Sequence, residues 1–501
     1  MQRPDSIATS PAGATTTGAG TQPATGPVRE EIKADLCIIG AGSGGLSLAA
    51  ATAQLGLDVV LIERGKMGGD CLNYGCVPSK AMIAAGKRAH NMRTSAPFGV
   101  EPVEPRIDFA RVNAHVHEVI AAIAPNDSVE RFTGLGVRVI EAHGAFVDRN
   151  TVRAGDVLVR ARKFCIATGS SPFVPPIPGL DQAPHFTNET LFENATPIGH
   201  LIVIGGGPIG IEMAQAHMRL GARVTVVEGM KALGKDDPEL TDVVLKHLVE
   251  EGMSIREGTK VERVESRMGV VKVHVVGPEG PDVIEGTHIL VATGRKPNVA
   301  GLNLEAAGIA YDRRGITVGA NLLSTNSSVY AIGDVAGSLQ FTHVANYHAG
   351  IVMRRICFKL PAKASTDHIP WVTYTEPELA NVGLSEDEAR KRHGSANVYR
   401  WPYHENDRAQ AERATEGFVK VVTDKRDRIV GAAIVGEHAG ELIQMWSLAI
   451  SKKMKITDMA QWVSPYPTLS EINKRAALRY YASKAGSPFV RSVISFLSRL
   501  G

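Results

Sequence analysis

Leu36-Cys37-Ile38-Ile39-Gly40-Ala41-Gly42-Ser43-Gly44-Gly45 places four apolar residues directly before a cluster of glycines. The apolar residues predict a buried strand, and the Ala- and Leu-rich run that continues to Leu55 predicts a helix. In such a unit Gly40 makes the tight turn, Gly42 leaves room for a pyrophosphate at the helix N-terminus, and Gly45 lets the helix pack closely on the strand. The stretch therefore predicts a dinucleotide-binding module.

The residues that follow strengthen this prediction. A second apolar strand, Val59-Val60-Leu61-Ile62, ends in Glu63, which lies 23 positions after Gly40. An acid at this distance is suited to bind a ribose hydroxyl. A glycine motif alone is weak evidence for a dinucleotide site, whereas strand, turn, helix and acid in this order make a plain turn the poorer interpretation.

The same module recurs later in the chain. Leu201-Ile202-Val203-Ile204 leads into Gly205-Gly206-Gly207-Pro208-Ile209-Gly210, and Glu228 again lies 23 positions after the first glycine. Two modules predict two nucleotide cofactors. A glycine at the third motif position (Gly210) together with the acid Glu228 favours NADH over NADPH at the second site. The nearby cations Lys231 and Arg223 keep NADPH open as the alternative.

Two cysteines lie five positions apart in Gly68-Gly69-Asp70-Cys71-Leu72-Asn73-Tyr74-Gly75-Cys76-Val77-Pro78-Ser79-Lys80. If this run opens a helix, Cys71 and Cys76 are about one turn apart and close enough to bridge. The helix N-terminus would lower a thiol pKa and favour the reactive thiolate. Two unrelated buried cysteines, or half of a metal site, are the alternatives for an isolated pair of this spacing.

Composition narrows the function classes. The net charge is only +3 over 501 residues, with no basic run, which argues against nucleic-acid binding, and no apolar stretch is long enough to cross a bilayer. Five cysteines are too few for a secreted disulfide scaffold, so we expect a soluble protein of a reducing compartment, the cytoplasm. Cys37, Cys165 and Cys357 are expected to be small core residues.

Both ends of the chain differ from the middle. Residues 1–32 are rich in Ala, Thr, Gly, Pro and Ser and predict a disordered tail. From about Ile369 alternating runs predict antiparallel strands and a separate α+β domain. Residues 485–501 predict an amphipathic helix that would lie on a membrane, on a partner or on the protein's own surface.

These motifs, in this order, resemble the flavoprotein disulfide reductases, the class I pyridine nucleotide-disulfide oxidoreductase family that includes dihydrolipoamide dehydrogenase, glutathione reductase and mercuric reductase. The resemblance covers about residues 33–484. It implies an α/β fold with two Rossmann-like FAD- and NAD(P)-binding domains and a C-terminal α+β dimerisation domain. The implied boundaries are 33–190 and 295–366 for the FAD domain, 191–294 for the NAD domain, and 367–484 for the dimerisation domain.

The resemblance also implies the cofactor sites. FAD would be bound by Gly40, Gly42, Gly45, Glu63, Lys80, Thr168, Gly169 and Asp334. NADH would be bound by Gly205, Gly207, Gly210, Glu228 and Gly294. No resident metal is expected, and the dimerisation domain implies a homodimer in which each active site borrows groups from the partner subunit.

By the same resemblance, NADH passes a hydride to the flavin, and the reduced flavin reduces a Cys71–Cys76 disulfide. Cys76 would be the flavin-proximal sulfur, which forms a charge-transfer thiolate, and Cys71 the interchange thiol that attacks the substrate. Lys80 and Glu212 match the family's ion pair beside flavin N5.

One position departs from the family. Disulfide reductases carry a His-Pro-Thr-x-x-Glu signature in which the histidine is the acid–base partner of the interchange thiol. This chain has Tyr466 at the histidine position, whereas Glu471 is retained. A tyrosine is a poor base at neutral pH, so efficient lipoamide or glutathione turnover is not expected. Tyrosine here is similar to mercuric reductase, although that enzyme's C-terminal cysteine pair is missing, since no cysteine follows Cys357.

The leading hypothesis is a homodimeric FAD enzyme that uses NADH to reduce a small-molecule disulfide or a soft-metal substrate through Cys71 and Cys76. One alternative is a quinone or oxygen reductase in which the flavin passes electrons directly and the cysteines are secondary. The other is a nucleotide-sensing protein docked peripherally on a membrane through residues 485–501.

Overall fold

The computed structural model describes residues 27–337, 339–485 and 487–500. Most of the predicted N-terminal tail lies outside the described residues. Strand β1 begins at Glu30, so the last three residues of the predicted tail range belong to the first strand. Glu31 and Lys33 are exposed and alternate with the half-buried Glu30 and Ile32, and all four pair with the strand at 157–166, so the polar composition of this stretch conceals the start of a strand.

The first segment builds most of an open sheet. Its strands are β1 Glu30–Ile39, β2 Val59–Glu63, β3 Arg138–Glu141, β4 Gly144–Asp148, β5 Thr151–Ala154, β6 Val157–Ile166 and β7 Ser170–Pro172. Its helices are α1 Ser43–Gln54, α2 Gly69–Asn73, α3 Cys76–Arg93, α4 Phe109–Ile123, α5 Val129–Gly134 and α6 Asn188–Leu191. Strand β1 pairs in parallel with β2 and β6, and α1 makes the crossover from β1 to β2, as the glycine motif predicts.

The second segment repeats this plan on a smaller scale. It contains β8 His200–Ile204, α7 Pro208–Arg219, β9 Arg223–Val227, α8 Pro238–Glu250, β10 Ser254–Arg256, β11 Lys260–Arg267, β12 Val270–Gly277, β13 Gly280–Gly286 and β14 His288–Val291. Strands β10, β9, β8 and β14 form a parallel sheet in that order, and β11–β13 form an antiparallel three-stranded sheet.

The chain then returns to the first sheet. The returning elements are β15 Arg295–Pro297, β16 Tyr311–Asp312, β17 Gly315–Ile316, β18 Val329–Ala331 and α9 Thr342–Cys357. Strand β18 pairs in parallel with β6, so the turn that follows it, Gly333–Ala336, lies at the carboxyl edge of the first sheet. This edge is where ligands bind in open α/β sheets.

The last domain is α+β, as predicted. It contains β19 Pro370–Thr373, β20 Glu378–Gly383, α10 Glu386–His393, β21 Asn397–Pro402, α11 Asp407–Glu412, β22 Phe418–Thr423, β23 Ile429–Gly436, α12 Ala439–Leu442, α13 Gln444–Ser451, α14 Ile456–Gln461, α15 Glu471–Ala485 and α16 Pro488–Leu497. Its five strands form an antiparallel sheet in the order β19-β20-β23-β22-β21. Among the described residues, no helix is long and apolar enough to cross a membrane.

Helix α3, which begins at Cys76, is tied to the other domains by ion pairs. Lys87 contacts Glu376 at 2.6 Å and Glu437 at 2.8 Å, both in the last domain. The helix also packs on α7, where Gly86 lies so close that a Cβ would be 3.1 Å from the carbonyl oxygen of Ala216. Helix α3 therefore contacts both the second segment and the last domain.

Candidate active site

A single cavity of about 2350 Å³ runs between the two nucleotide-type modules and the last domain. Both glycine turns line it, and so do Cys71 and Cys76. The stretch that carries these two cysteines, residues 68–80, is called the redox run below. Of the predicted site residues, those on the cavity wall are Gly40, Gly42, Glu63, Cys71, Cys76, Lys80, Thr168, Gly169, Gly205, Gly207, Glu212, Glu228, Gly294 and Asp334. The fold thus brings residues from five separate parts of the sequence to one site.

The first glycine turn has the geometry of a phosphate cradle. Gly40 has φ +108°, and a Cβ there would lie 2.4 Å from the carbonyl oxygen of Ala167, so only glycine fits. Gly45 lies against Gly40, where a Cβ would be 1.9 Å from its carbonyl oxygen. Gly42, in contrast, faces open space, because the nearest atom to its Cβ position is 4.0 Å away. A side chain there would fill the space that a pyrophosphate at the N-terminus of α1 requires.

Glu63 is held in place at the end of β2. Its carboxylate accepts hydrogen bonds from the backbone N–H of Ala41 at 2.6 Å and of Gly65 at 2.7 Å. These bonds fix the acid next to the glycine turn, where the motif predicts the ribose contact. The residues therefore fit an adenine dinucleotide such as FAD.

The second turn repeats each of these features. A Cβ on Gly205 would lie 2.5 Å from the carbonyl oxygen of Ala292, one on Gly210 would lie 2.1 Å from that of Gly205, and Gly207 has no atom within 4 Å. Glu228 accepts hydrogen bonds from the N–H of Gly206 at 2.7 Å and of Met230 at 2.8 Å. A second dinucleotide fits this site on the same grounds.

The redox run is fastened to the first glycine turn. The N–H of Gly68 donates to the carbonyl of Ala41 at 3.0 Å, and Gly69 packs on Gly42, where a Cβ would be 2.7 Å from the Gly42 Cα. The run does not form one continuous helix. Cys71 lies in the short helix α2, and Cys76 is the first residue of the 18-residue helix α3.

The two thiols are neighbours and differ in acidity. Interaction with the Cys71 thiol, the Thr342 hydroxyl 3.3 Å from the Cys76 sulfur and the charge of Lys80 lower the pKa of Cys76 to about 6, although burial opposes the shift. Interaction with Cys76 and burial raise the pKa of Cys71. At neutral pH Cys76 is therefore a thiolate and Cys71 a thiol.

Lys80 lies one turn further along α3. Its Nζ is 2.8 Å from Glu212 Oε2, and it lies over the ring of Tyr374 at 4.2 Å from the centroid. Glu212 is buried and also accepts a hydrogen bond from the N–H of Tyr374 at 3.0 Å. The sequence predicts the pairing of Lys80 with Glu212, and the structure brings the two together.

A polar network that the sequence analysis did not predict surrounds the loop between the cysteines. Asn188, at the start of α6, donates to Asp70 Oδ1 at 3.0 Å and to the carbonyl of Tyr74 at 3.1 Å. Arg295 contacts Asp70 Oδ1 at 3.1 Å. Asn188 thereby bridges both ends of the loop that separates Cys71 from Cys76.

The same arginine reaches the Gly-Asp turn at the sheet edge. Arg295 donates to the Ser170 hydroxyl at 2.8 Å, and this hydroxyl donates to Asp334 Oδ2 at 2.5 Å. Burial raises the pKa of Asp334. Nearby, the Thr168 hydroxyl donates to the carbonyl of Asn298 at 2.7 Å. Arg295 directly follows Gly294, so its position after a predicted sheet-edge turn could have identified it as a site residue from the sequence.

Tyr466 and Glu471 are not part of this cavity. Tyr466 is 70% exposed, and its hydroxyl donates to Asp407 Oδ2 at 2.7 Å, which raises the pKa of the phenol. Glu471 begins α15 and pairs with Arg475 at 2.9 Å. Of the remaining cysteines, Cys37 and Cys165 are buried as predicted, whereas Cys357 is only half-buried.

Two dinucleotide cradles that share a cavity with a polarised pair of thiols define an oxidoreductase. Residues 34–349 match the family model for pyridine nucleotide-disulphide oxidoreductases, and residues 369–477 match the model for the dimerisation domain of the same proteins. The chain belongs to the pyridine nucleotide-disulphide oxidoreductase family. Members of this family bind FAD and a pyridine nucleotide.

Curated relatives include mercuric reductases and dihydrolipoyl dehydrogenases. The chain is 35% identical over 449 residues to a mercuric reductase of Bacillus cereus, covering 89% of this chain and 71% of the relative. It is 35% identical over 446 residues to a dihydrolipoyl dehydrogenase of Thermus scotoductus, covering 87% and 95%.

Solved structures support the same family. The chain is similar to LpdA from Mycobacterium tuberculosis, with a TM-score of 0.82 and 27% identity over 89% of this chain and 99% of the other. It is also similar to the Cu(II) complex of RclA, an HOCl-induced flavoprotein disulfide reductase from Escherichia coli, with a TM-score of 0.79 and 27% identity over 89% and 99%.

Proposed function

We propose that the chain is an FAD-dependent reductase that takes electrons from NADH and delivers them through Cys71 and Cys76 to a soft-metal ion or an electrophilic sulfur compound. The observation that carries this proposal is that the neighbouring cysteines Cys71 and Cys76 both lie on the cavity wall, with the Thr342 hydroxyl 3.3 Å from the Cys76 sulfur. Bound FAD would supply the two-electron link between the pyridine nucleotide and these sulfurs.

The residues around the sulfurs support a reversible dithiol–disulfide centre. Addition of two electrons to a Cys71–Cys76 disulfide breaks the S–S bond, and uptake of one proton leaves the Cys71 thiol and the Cys76 thiolate. Thr342 and Lys80 stabilise that thiolate, and Lys80 is itself positioned by Glu212. Cys71 is then free to attack an acceptor after it loses its proton, while Cys76 remains available to close the disulfide again.

The second nucleotide site favours NADH. The two cations that the sequence places near this site have other partners: Lys231 pairs with Glu257 at 2.7 Å, and Arg223 Nη2 lies 2.7 Å from His200 Nδ1. Glu228 lines the cavity at the position of the ribose contact and would repel a phosphate.

The acceptor is best sought among soft, thiol-reactive species. Relatives are named mercuric reductases, and the RclA structure is a Cu(II) complex, which suggests a metal ion as substrate. A dithiol with one thiolate binds such ions well. The tyrosine at position 466 makes a disulfide of the lipoamide type the weaker candidate, because a phenol with a raised pKa is a poor base for Cys71.

We place Tyr466 and Glu471 at the active site of a second copy of this chain. Both lie outside the cavity of their own chain, and the domain that carries them matches the family's dimerisation domain. The proposal therefore requires a homodimer. Sedimentation equilibrium of the flavin-loaded protein should give twice the chain mass, and a monomer with full activity would contradict it.

Anaerobic titration with NADH tests the thiol relay. The wild-type holoenzyme should develop the long-wavelength absorbance of a thiolate next to oxidised flavin, and the Cys76→Ser variant should not. Cys165→Ser, which alters a buried thiol in the sheet, is the matched control. Long-wavelength absorbance that persists in Cys76→Ser would contradict the proposed role of the Cys76 sulfur as the thiolate next to the flavin.

A further inference from the structure

The last helix, α16, is amphipathic and lies uncovered. Seven apolar side chains occupy one face of residues 489–500, and three serines and two arginines occupy the other. No residue of α16 is buried. Phe489 is 77% exposed, Phe496 63% and Leu500 69%. Among the described residues, the protein's own surface therefore does not cover this face. Of the three surfaces on which the helix could lie, a membrane and a partner remain.

A second copy of the chain is the next candidate. The match to the family's dimerisation domain ends at residue 477, eleven residues before α16 begins. The matched dimerisation domain therefore does not include this helix. An apolar face of this size still needs a nonpolar environment, because water-exposed apolar patches are rare on monomeric surfaces unless they bind something.

The charge of the C-terminal region favours a lipid surface. After Glu471 the chain carries no acidic side chain, whereas it carries six basic ones: Lys474, Arg475, Arg479, Lys484, Arg491 and Arg499. Arg491 lies on the polar face of α16, and Arg499 lies two residues after its end. Cations on one face with phenylalanine and leucine on the other are the arrangement of a helix that lies in the plane of an anionic membrane.

We infer that α16 anchors the reductase peripherally on anionic lipid bilayers, with its apolar face inserted among the headgroups and Arg491 and Arg499 in contact with lipid phosphates. This inference is independent of the electron acceptor and of the cysteine chemistry. Ser487 supports the required geometry, since its hydroxyl caps the helix by accepting from the N–H of Val490 at 3.2 Å.

Vesicle sedimentation of the flavin-loaded full-length chain tests the anchor. The protein should bind vesicles of equal parts phosphatidylcholine and phosphatidylglycerol, and much less to phosphatidylcholine alone or at high salt. Replacing two apolar residues, Ile494→Ser with Leu497→Ser, should weaken binding more than tenfold. Neutralising Arg491→Gln with Arg499→Gln should weaken it about fivefold for each arginine.

The matched control replaces two exposed apolar residues of the β11–β13 sheet, Met268→Ser with Val283→Ser, and should bind like the wild type. Three results would overturn the inference. These are no binding of the wild type to anionic vesicles, equal loss in the control, and a change of oligomeric mass without lipid when residues 485–501 are removed. The last result would instead assign α16 to contacts between copies.

Discussion

Replacing Thr342 by valine should raise the pKa of Cys76 without changing the shape of the site. The Thr342 hydroxyl lies 3.3 Å from the Cys76 sulfur at the N-terminus of α9, and valine keeps the volume but removes the hydrogen bond. A hydrogen bond to a charged group contributes about 1.5–3 kcal/mol, which corresponds to about 1–2 pKa units. The pKa of Cys76, about 6 in the wild type, should therefore rise to roughly 7–8.

The Cys76 pKa rises because it is the thiolate form that loses a hydrogen-bond partner. Thr342 stabilises the thiolate, so its loss favours the thiol and moves the titration to higher pH. At pH 7 the thiolate fraction should fall from about 90% to roughly 10–50%. The long-wavelength absorbance of the two-electron-reduced holoenzyme, followed anaerobically against pH, reports this fraction directly.

Thr325→Val is the matched control, because its hydroxyl donates to the carbonyl of Gly308 and accepts from the N–H of Ala310, and the residue does not line the cavity. The control should titrate with the wild-type midpoint. The expected shift in the Cys76 pKa is about 1–2 units. A pKa in Thr342→Val that stays within about 0.3 units of the wild type would refute the assignment of Thr342 as a partner of the thiolate.

Three further predictions concern the loop, the nucleotide site and the first glycine turn. Asn188→Ala should loosen the loop between the cysteines and shift the thiol–disulfide equilibrium about tenfold toward the dithiol, or about 30 mV, in glutathione buffers, whereas Asn113→Ala should not. Glu228→Ala should lower kcat/KM for NADH at least tenfold and reduce the ratio of kcat/KM for NADH to that for NADPH, both measured by stopped-flow flavin reduction. An unchanged ratio would contradict the role of Glu228 as the ribose contact. Gly40→Ala should yield protein without the visible absorbance of bound flavin, whereas Gly134→Ala, where an added Cβ has no atom within 4 Å, should keep it.

The two glycine turns could be predicted because their signals are local. Gly40 and Glu63 belong to one strand–helix–strand unit, and the spacing between them follows from the geometry of that unit alone. The alternating residues of the last domain likewise identify β22 and β23, which pair as adjacent antiparallel strands.

The groups that tune the thiols were not predictable in the same way. Asn188 lies 112 positions after Cys76, and Thr342 lies 266 positions after it, so their contacts depend on how whole domains pack. No local pattern marks either residue. Arg295 is intermediate, since it follows a recognisable turn but its contact with Asp70 depends on the tertiary fold.

At the C-terminal end of the chain, the sequence predicts the helix but not the surface that the helix contacts. The apolar stripe of residues 489–500 is evident from the helical period, yet the period cannot say what covers the stripe. The structure adds the decisive fact that Phe489 and Ile494 remain exposed beside α15.

We propose that electrons leave this enzyme through Cys71, and a comparison of acceptors in the Cys71→Ser variant tests this route. NADH oxidation by wild-type and Cys71→Ser holoenzymes is followed with Hg(II), Cu(II), lipoamide, glutathione disulfide and a quinone as acceptors. We predict that turnover with at least one metal or sulfur acceptor falls more than about 100-fold in the variant, while NADH still reduces its flavin at the wild-type rate. Turnover that proceeds fastest with the quinone and is unaffected by Cys71→Ser would contradict the account.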